Sequence, residues 1–366
     1  MKLSVIILNY NVRYFLELCL KSVQAATVNL DAEIIVIDND SKDESCIMVK
    51  ELFPEVNLIE NKENSGFSKG NNSGVAQAKG EYLCILNPDT VVAEDTFEKL
   101  LEFCKDKNRL GAVGCKLIDG TGTFLPESKR NVPIVSVALK KVIGNSKHYY
   151  ANHLTENESG KIDVLVGAFM FLKKDVYLEV GGFDEDYFMY GEDIDLSYKI
   201  GNAGYQNYYF GNTSVIHFKG ESTLKDKKYA ERFYGAMQIF YKKHFKKSLF
   251  FDTLVWFGIK IMPLIKKNTE TEKKAVSQYV LISDEKIKNL ESVLSKELLV
   301  EKEVANYENG TELIFDNNVL TFSKIITDME AQSKHKTCTF KIVPKNSNFI
   351  LGSDSANGRG EVIGFS

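Results

Sequence analysis

No glycine precedes Gly66 in this chain of 366 residues. A dinucleotide-binding fingerprint or a P-loop needs glycines directly after the first strand, where backbone must approach phosphate. The absence argues against a classical dehydrogenase, a methyltransferase or a P-loop NTPase. The six cysteines (19, 46, 84, 104, 115 and 338) form no C-x-x-C pair and no zinc-type spacing with histidine. Most lie in apolar runs, which reads as reduced core thiols and a cytoplasmic location. Met1-Lys2 runs straight into an apolar strand pattern, so no signal peptide is expected. A net charge of -4 supplies no global attraction to nucleic acid, and no such partner is expected. A transmembrane run is missing too. Leu249–Ile265 is strongly apolar but falls short of the ~20 residues a span needs, and it holds Asp252 and Lys260.

What is present is alternation. Leu3–Leu8, Glu33–Ile37, Val56–Ile59, Tyr82–Leu86 and Ala112–Ile118 read as short buried strands. Between them lie helical patterns, the first carrying a stripe of Val12, Phe15, Leu16, Cys19, Leu20 and Val23 behind a capping Asn11. Ser68–Ala78 reads as a polar helix and Glu94–Cys104 as an amphipathic one. This order predicts an α/β fold with a mostly parallel sheet flanked by helices. Asp119–Asp163 is polar and irregular. Strand Val164–Leu172, helices at Asp175–Val180 and Ile194–Ile200, and strand Gln206–Phe218 follow. We expect this first domain to span 1–225 and a basic, amphipathic helical segment to span 226–270. A small C-terminal α/β module is expected over 271–366, with strands Tyr279–Ile282, Leu313–Phe315, Thr339–Val343 and Phe349–Leu351. Its helices are expected at Glu285–Leu294 and Phe322–Met329. Gly352-Ser353-Asp354-Ser355 and Gly358-Arg359-Gly360 read as a ligand loop or a flexible tail, and the tail is the preferred reading.

Polar residues end the early strands. In Leu86-Asn87-Pro88-Asp89, Pro88 cannot continue a central ladder, so Asp89 is presented at the carboxyl edge of the sheet. Open α/β sheets bind ligands at that edge, and a carboxylate there suits a hard divalent cation bridging phosphates. Asn9, Asp38, Asn39 and Asn64 end other strands; Asp38 and Asn39 offer groups suited to a base or a ribose. Each alone reads first as an ordinary turn or cap residue; four in register at strand ends point instead to a nucleotide site. Gly66 would let backbone come close to a ligand at a helix start. Glu192, Asp193 and Asp195 open a helix after Gly191, where a carboxylate can reach an acceptor hydroxyl or simply complement the helix dipole. His217 ends a strand and becomes a metal candidate only if that end lies near Asp89.

Together the segments Val5–Asn11 (VIILNYN), Val36–Ser41 (VIDNDS), Asn64–Asn71 (NSGFSKGN), Leu86–Asp89 (LNPD), Gly167–Phe171 (GAFMF), Gly181–Glu185 (GGFDE) and Tyr187–Leu196 (YFMYGEDIDL) carry a resemblance. The chain resembles a family-two inverting glycosyltransferase of GT-A fold, in the bacterial rhamnosyltransferase-like branch. The resemblance implies a nucleoside-diphosphate sugar donor, of dTDP-rhamnose or UDP-sugar type. It also implies a glycan or polyprenyl-linked acceptor and a role in cell-surface polysaccharide synthesis. Asp89 matches the last acid of the metal-binding DxD motif, with Asn87 in place of the first, and His217 completes a site for Mg2+ or Mn2+. Asp38 and Asn39 match base- and ribose-binding positions, and Asp193 matches the catalytic base. Asn9, Asn64, Gly66, Phe67, Asn87 and Glu192 are the further expected substrate-binding residues.

Two other readings remain open on the sequence. A nucleotidyltransferase shares the layout, but its Gly-rich basic signature after the first strand is absent. A catalytically silent sugar-nucleotide-binding scaffold would keep the fold without the reaction. Leu249–Ile265 with its flanking lysines offers either peripheral contact with an anionic membrane surface or a core-packing helix pair.

Overall fold

The structure is a computed structural model, and it describes residues 1–134, 137, 147–221, 227–245, 275–335, 338–355 and 358–365. The segments expected to reach membrane (249–265) and to link the modules (268–274) lie outside these residues. The described strands are β1 Leu3–Asn9, β2 Ala32–Asp38, β3 Asn57–Glu60, β4 Tyr82–Leu86, β5 Thr90–Val91, β6 Leu110–Ile118, β7 Gly160–Ile162, β8 Phe169–Lys173 and β9 Gln206–His217. A second set comprises β10 Gln278–Ile282, β11 Leu298–Glu301, β12 Thr311–Asp316, β13 Cys338–Val343, β14 Phe349–Gly352 and β15 Glu361–Gly364. The helices are α1 Arg13–Thr27, α2 Ser45–Leu52, α3 Gly66–Gln77, α4 Thr96–Lys105, α5 Lys174–Glu179, α6 Glu192–Asn202, α7 Lys227–His244 and α8 Phe322–Ser333.

The first sheet runs β3-β2-β1-β4-β8-β6-β9-β5, with β7 paired to β9. The first four strands are parallel. Asn9 lies in register with Asp38, and Ile7 with Leu86, so their carboxyl ends share one rim. β8 is antiparallel to β4 and pairs Phe169 with Leu86, which brings the start of β8 to that rim. β6 runs antiparallel to β8 and parallel to β9, so His217 ends at the same rim. The mostly parallel, helix-flanked α/β sheet expected from the alternation is present.

Packing explains where the patterns came from. One face of α1 sends Leu16, Cys19, Leu20 and Val23 onto β1 and β2. On the opposite face of the sheet, α3 packs through glycines. A Cβ on Gly70 would lie 2.4 Å from Leu8 Cδ1, and one on Gly74 2.5 Å from Ile37 Cδ1. This close approach is why α3 buries a face that reads as polar. Asn11 does not cap α1: Val12 is the cap position, and Asn11, with φ 55°, accepts the Lys42 N–H instead at 2.6 Å. The expected strand Val164–Leu172 begins only at Phe169, because Val164 bridges Arg130 and the Gly167 N–H turns to Asp193 instead. The helix expected at Glu285–Leu294 is turns and one 3-10 turn, with Asn289 in the left-handed region breaking it. The pattern reading missed α2 and the short strands β5, β7, β11 and β15.

The second sheet, β11-β10-β12-β13-β14-β15, is not held by a tail. Glu361–Gly364 pairs along Phe349–Gly352, so the glycine-rich end expected to be loose includes an edge strand. The other face of α1 (Val12, Phe15, Leu18), with Val91, Ile118, Ile216 and Phe218, forms one apolar core with Phe315, Ile325, Met329, Phe340 and Leu351. Each large side chain so buried contributes about 1.5–3 kcal/mol. Polar contacts fix the register. The Glu94 carboxylate accepts the Phe322 and Ser323 N–H groups at the start of α8 (2.7 and 2.9 Å), and Lys116 pairs with Glu330 at 2.8 Å. Glycines at 120 and 122 let backbones meet: a Cβ would lie 2.4 Å from Ser353 O and 2.3 Å from Met329 O. Gly122→Ala, at φ +73°, should therefore cost about 1–3 kcal/mol in urea unfolding, while Gly201→Ala, which meets nothing within 4 Å, should be neutral or stabilising. Equal midpoints for the two variants would contradict this account of the docking.

Candidate active site

The rim assembles in three parts. The first is the β1–β2 end. Asn9 Nδ2 donates to Asp38 Oδ1 at 2.8 Å, and the Ser41 N–H donates to Asp38 Oδ2 at 2.8 Å. Ser41 Oγ accepts the Asn11 N–H at 2.9 Å, which ties the turn after β1 to the turn after β2. Asn9 and Asp38 are both buried, and Asn9 Oδ1 has no partner among the described residues. Asn39 is placed as a brace. Its amide donates to Asn64 Oδ1 (2.9 Å) and Gly66 O (3.2 Å), and its Oδ1 receives Asn61 Nδ2, Ser65 N and Ser65 Oγ. With both protons and the carbonyl engaged, its hydrogen-bonding capacity is spent on shaping the 61–66 turn.

Gly66 is likewise explained by protein contact. At φ +81°, a Cβ there would fall 2.6 Å from Phe188 O, and the Phe67 N–H donates to that same oxygen at 2.7 Å. The close approach expected of a ligand is made by the backbone of the loop before α6. The half-buried Phe67 ring meets Phe183 edge-on at 5.5 Å.

The second part is the end of β4 with β9. The two-residue β5 pairs Thr90 with His217, which sets Asp89 beside the imidazole. His217 Nε2 stands 3.5 Å from Asp89 Oδ1 and 3.4 Å from Asn87 Nδ2, and the Phe218 N–H donates to Asp89 O at 3.0 Å. Asp89 and His217 are buried, and His217 Nδ1 has no partner among the described residues. Two ligand atoms that each lie ~2.1 Å from one ion sit roughly 3–4 Å apart. The carboxylate and imidazole therefore fit a divalent cation. No group of three His, Cys, Asp or Glu with that capacity occurs among the described residues, so such an ion would need oxygens from substrate or water.

The third part is the start of α6. Gly191, at φ +81°, turns the chain into the helix. Asp193 Oδ2 accepts Arg130 Nη2 at 2.6 Å and the Gly167 N–H at 3.1 Å, while Oδ1 accepts the Ile194 N–H at 2.7 Å. Arg130 comes from the irregular 119–163 segment, 63 residues away, and no local pattern flags it beyond the basic Lys129-Arg130 pair. Glu192 is buried, and its Oε2 has no partner among the described residues. Burial, reinforced by the charge of Asp193, pushes the Glu192 carboxyl up to about 8. Asp195 is fully buried and serves packing: it bonds His244 Nε2 at 2.5 Å and Lys199 Nζ at 3.1 Å, pinning α7 onto α6. The described part of the basic helix thus packs on the site-bearing helix, through Ala236, Phe240 and Tyr241 against Tyr187 and Ile194.

The second and third parts are joined by one dipeptide. Ala168 O accepts the Asn87 N–H at 3.0 Å, and the Gly167 N–H reaches Asp193. A Cβ on Gly167 would lie 3.4 Å from the Asp193 Cβ and 3.5 Å from the Phe67 ring. Asp38, Asp89, His217 and Asp193 accordingly stand along a single rim rather than on separate surfaces.

Comparison with known proteins gives this rim a context. Residues 4–181 match Glycosyl transferase family 2. The N-acetylglucosaminyl-diphospho-decaprenol L-rhamnosyltransferase of Mycobacterium tuberculosis is 27% identical over 241 residues, covering 61% of this chain and 78% of that protein. The rhamnosyltransferase WbbL of Escherichia coli is 27% identical over 161 residues, covering 42% of this chain and 61% of its own length. Among solved structures, the mannosyltransferase PcManGT of Pyrobaculum calidifontis, in complex with GDP-Man and Mn2+, aligns at TM-score 0.48 and 19% identity over 72% of this chain and 70% of that one. Residues 4–181 form a glycosyl transferase family 2 domain, and the chain is a glycosyltransferase.

Proposed function

We propose that this glycosyltransferase moves a sugar from a nucleoside-diphosphate donor, of dTDP-rhamnose or UDP-sugar type, to a hydroxyl of a glycan or polyprenyl-linked acceptor, inverting the anomeric centre. The product would serve cell-surface polysaccharide synthesis, as the name of the mycobacterial relative suggests for a lipid-linked acceptor. The observation that carries the reading is the Gly167-Ala168 bridge, which sets the Asp193 carboxylate beside the Asn87–Asp89 strand end. An acceptor hydroxyl and a departing diphosphate could then occupy opposite sides of one sugar. No described helix is long and apolar enough to cross a membrane, and contact with an anionic membrane surface remains part of the proposal through the 249–265 segment.

In this mechanism Asp193 takes the proton of the acceptor hydroxyl as its oxygen attacks C1 of the donor sugar. Arg130 and the Gly167 N–H hold Oδ2, which fixes the carboxylate plane. Asp89 and His217 would hold Mg2+ or Mn2+, whose chemistry there is Lewis-acid stabilisation of charge on the leaving diphosphate. Asp38, braced by Asn9, faces the nucleoside end of the donor, and Asn39, Asn64 and Gly66 shape the turn beside it. Glu192 favours a second assignment of the base, because its unpartnered Oε2 and raised carboxyl suit proton transfer near neutrality.

The two assignments separate cleanly. Asp193→Asn should lower kcat about 10²–10⁴-fold while calorimetry still shows nucleotide binding. Glu192→Gln should keep turnover within about tenfold; the reverse pattern would move the base to Glu192. Glu192 also makes a stability prediction. Its carboxyl rises from 4.5 to about 8 on folding, so the folded state holds the proton more tightly. Its contribution to stability is full below about pH 4.5 and is lost as pH rises through about 8. Urea midpoints of Glu192→Gln should show a flatter decline over that window than those of the parent. Asp89→Ala and His217→Ala should each remove the Mn2+-dependent part of UDP or dTDP binding. Sugar release from a donor panel distinguishes transfer from pyrophosphorolysis and from a silent binding protein.

A further inference from the structure

The match to the glycosyltransferase family ends at residue 181, yet the second sheet returns to the donor rim. Glu221 follows His217 by one short turn and is buried. Its Oε1 accepts the Gly360 N–H, at the start of β15, at 2.6 Å. The meeting is built from glycines on both sides. A Cβ on Gly360 would fall 2.6 Å from Gly352 O and 2.7 Å from the Phe15 ring, and one on Gly220, at φ +77°, 3.2 Å from Gly358 O. Side chains are thereby excluded where the two segments touch, and Arg359 between the glycines is carried to the rim.

Arg359 is exposed and makes no ion pair among the described residues. It lines a cleft of about 280 Å³ with Asn11, Arg13, Asp43 and Glu221. Asn11 belongs to the turn stapled to Ser41 and Lys42, beside the Asn9–Asp38 pair. Glu221, which also lines the cleft, lies near enough to Asp89 to feel its charge. Burial, with the charge of Asp89 adding and Arg359 opposing, pushes the Glu221 carboxyl up to about 7. Glu221 thus feels both Asp89 and Arg359, and near neutrality it offers only part of a counter-charge. Asp43, Glu44 and Glu221 line the same cleft, yet among the described residues the Arg359 guanidinium has no ion-paired anionic partner. A diphosphate laid along that rim supplies one, and guanidinium groups bind phosphate oxygens bidentately.

We propose that Arg359, delivered by the second sheet, is a donor-positioning residue that pairs with the diphosphate of the nucleotide sugar. The C-terminal module would then complete the donor site of the family domain. The proposal rests on the donor reading above, so its test separates the two. Binding of UDP and dTDP is measured by calorimetry with Mn2+ on the full chain, and binding of uridine and thymidine by ligand-observed NMR. Arg359→Ala should weaken the diphosphates by roughly tenfold, leave the nucleosides unchanged, and raise donor KM more than it lowers kcat. Arg359→Lys should restore part of the loss. The exposed position predicts an unchanged thermal midpoint in both variants. Unchanged diphosphate affinity in Arg359→Ala, or equal losses for diphosphate and nucleoside, would overturn the proposal and leave the donor reading standing. Failure of the parent chain to bind either diphosphate would overturn both.

Discussion

A single dipeptide, Gly167-Ala168, holds the site together. It enters β8 at the rim where the antiparallel strand meets β4. One backbone group reaches Asn87 and the next reaches Asp193. The carboxylate on α6 and the polar end of β4 are thus spaced by covalent geometry rather than by flexible side chains. A Cβ at position 167 would already stand in van der Waals contact with Asp193 and Phe67, so the dipeptide is packed between them. Preorganisation of this kind makes a carboxylate useful in catalysis, because reacting groups must hold near-attack geometry without reorganising.

The remaining order follows from strand direction. Parallel pairing puts Asn9 and Asp38 at one edge, and two successive antiparallel pairings bring β9 back into line with β4. A two-residue strand, Thr90–Val91, then converts that alignment into a contact between Asp89 and His217. Around this frame many polar residues are braces. Asn9, Asn39, Asn64 and Ser41 close hydrogen bonds within the protein, which ties together the turns at the rim. Among the described residues Asn9 Oδ1, His217 Nδ1 and Glu192 Oε2 have no hydrogen-bond partner, and they mark the places where this closure is incomplete. The second sheet extends the frame: α1 is buried on both faces, so the two sheets share a core through one helix.

Local patterns determined a good deal. The apolar runs of β1, β2, β4 and β6, the breaking effect of Pro88, and the acidic start of α6 were all legible, because each reflects a preference expressed within a few residues. So were the acids and the histidine that end the strands, and with them the family. Three things were illegible for identifiable reasons. The helix α3 was legible as a helix, but its buried face was not, because it packs through glycines against Leu8 and Ile37. Asn39 and Gly66 looked like ligand contacts because residues that brace turns and residues that bind nucleotides share the same chemistry. Strands β5, β7 and β15 are too short for any periodicity to show, and only pairing with distant partners makes them strands.

Tertiary structure alone decided which distant groups meet. Arg130 reaches Asp193 across 63 residues, and Gly360 reaches Glu221 across 139. No spacing rule links such pairs, since their separation reflects the length of intervening chain and not a helical or strand period. The sequence by itself determined the elements, the rim residues and the class of chemistry. The pairings among them, and the arrival of the second sheet beside Glu221, came from packing, where contacts are set by three-dimensional fit rather than by order along the chain.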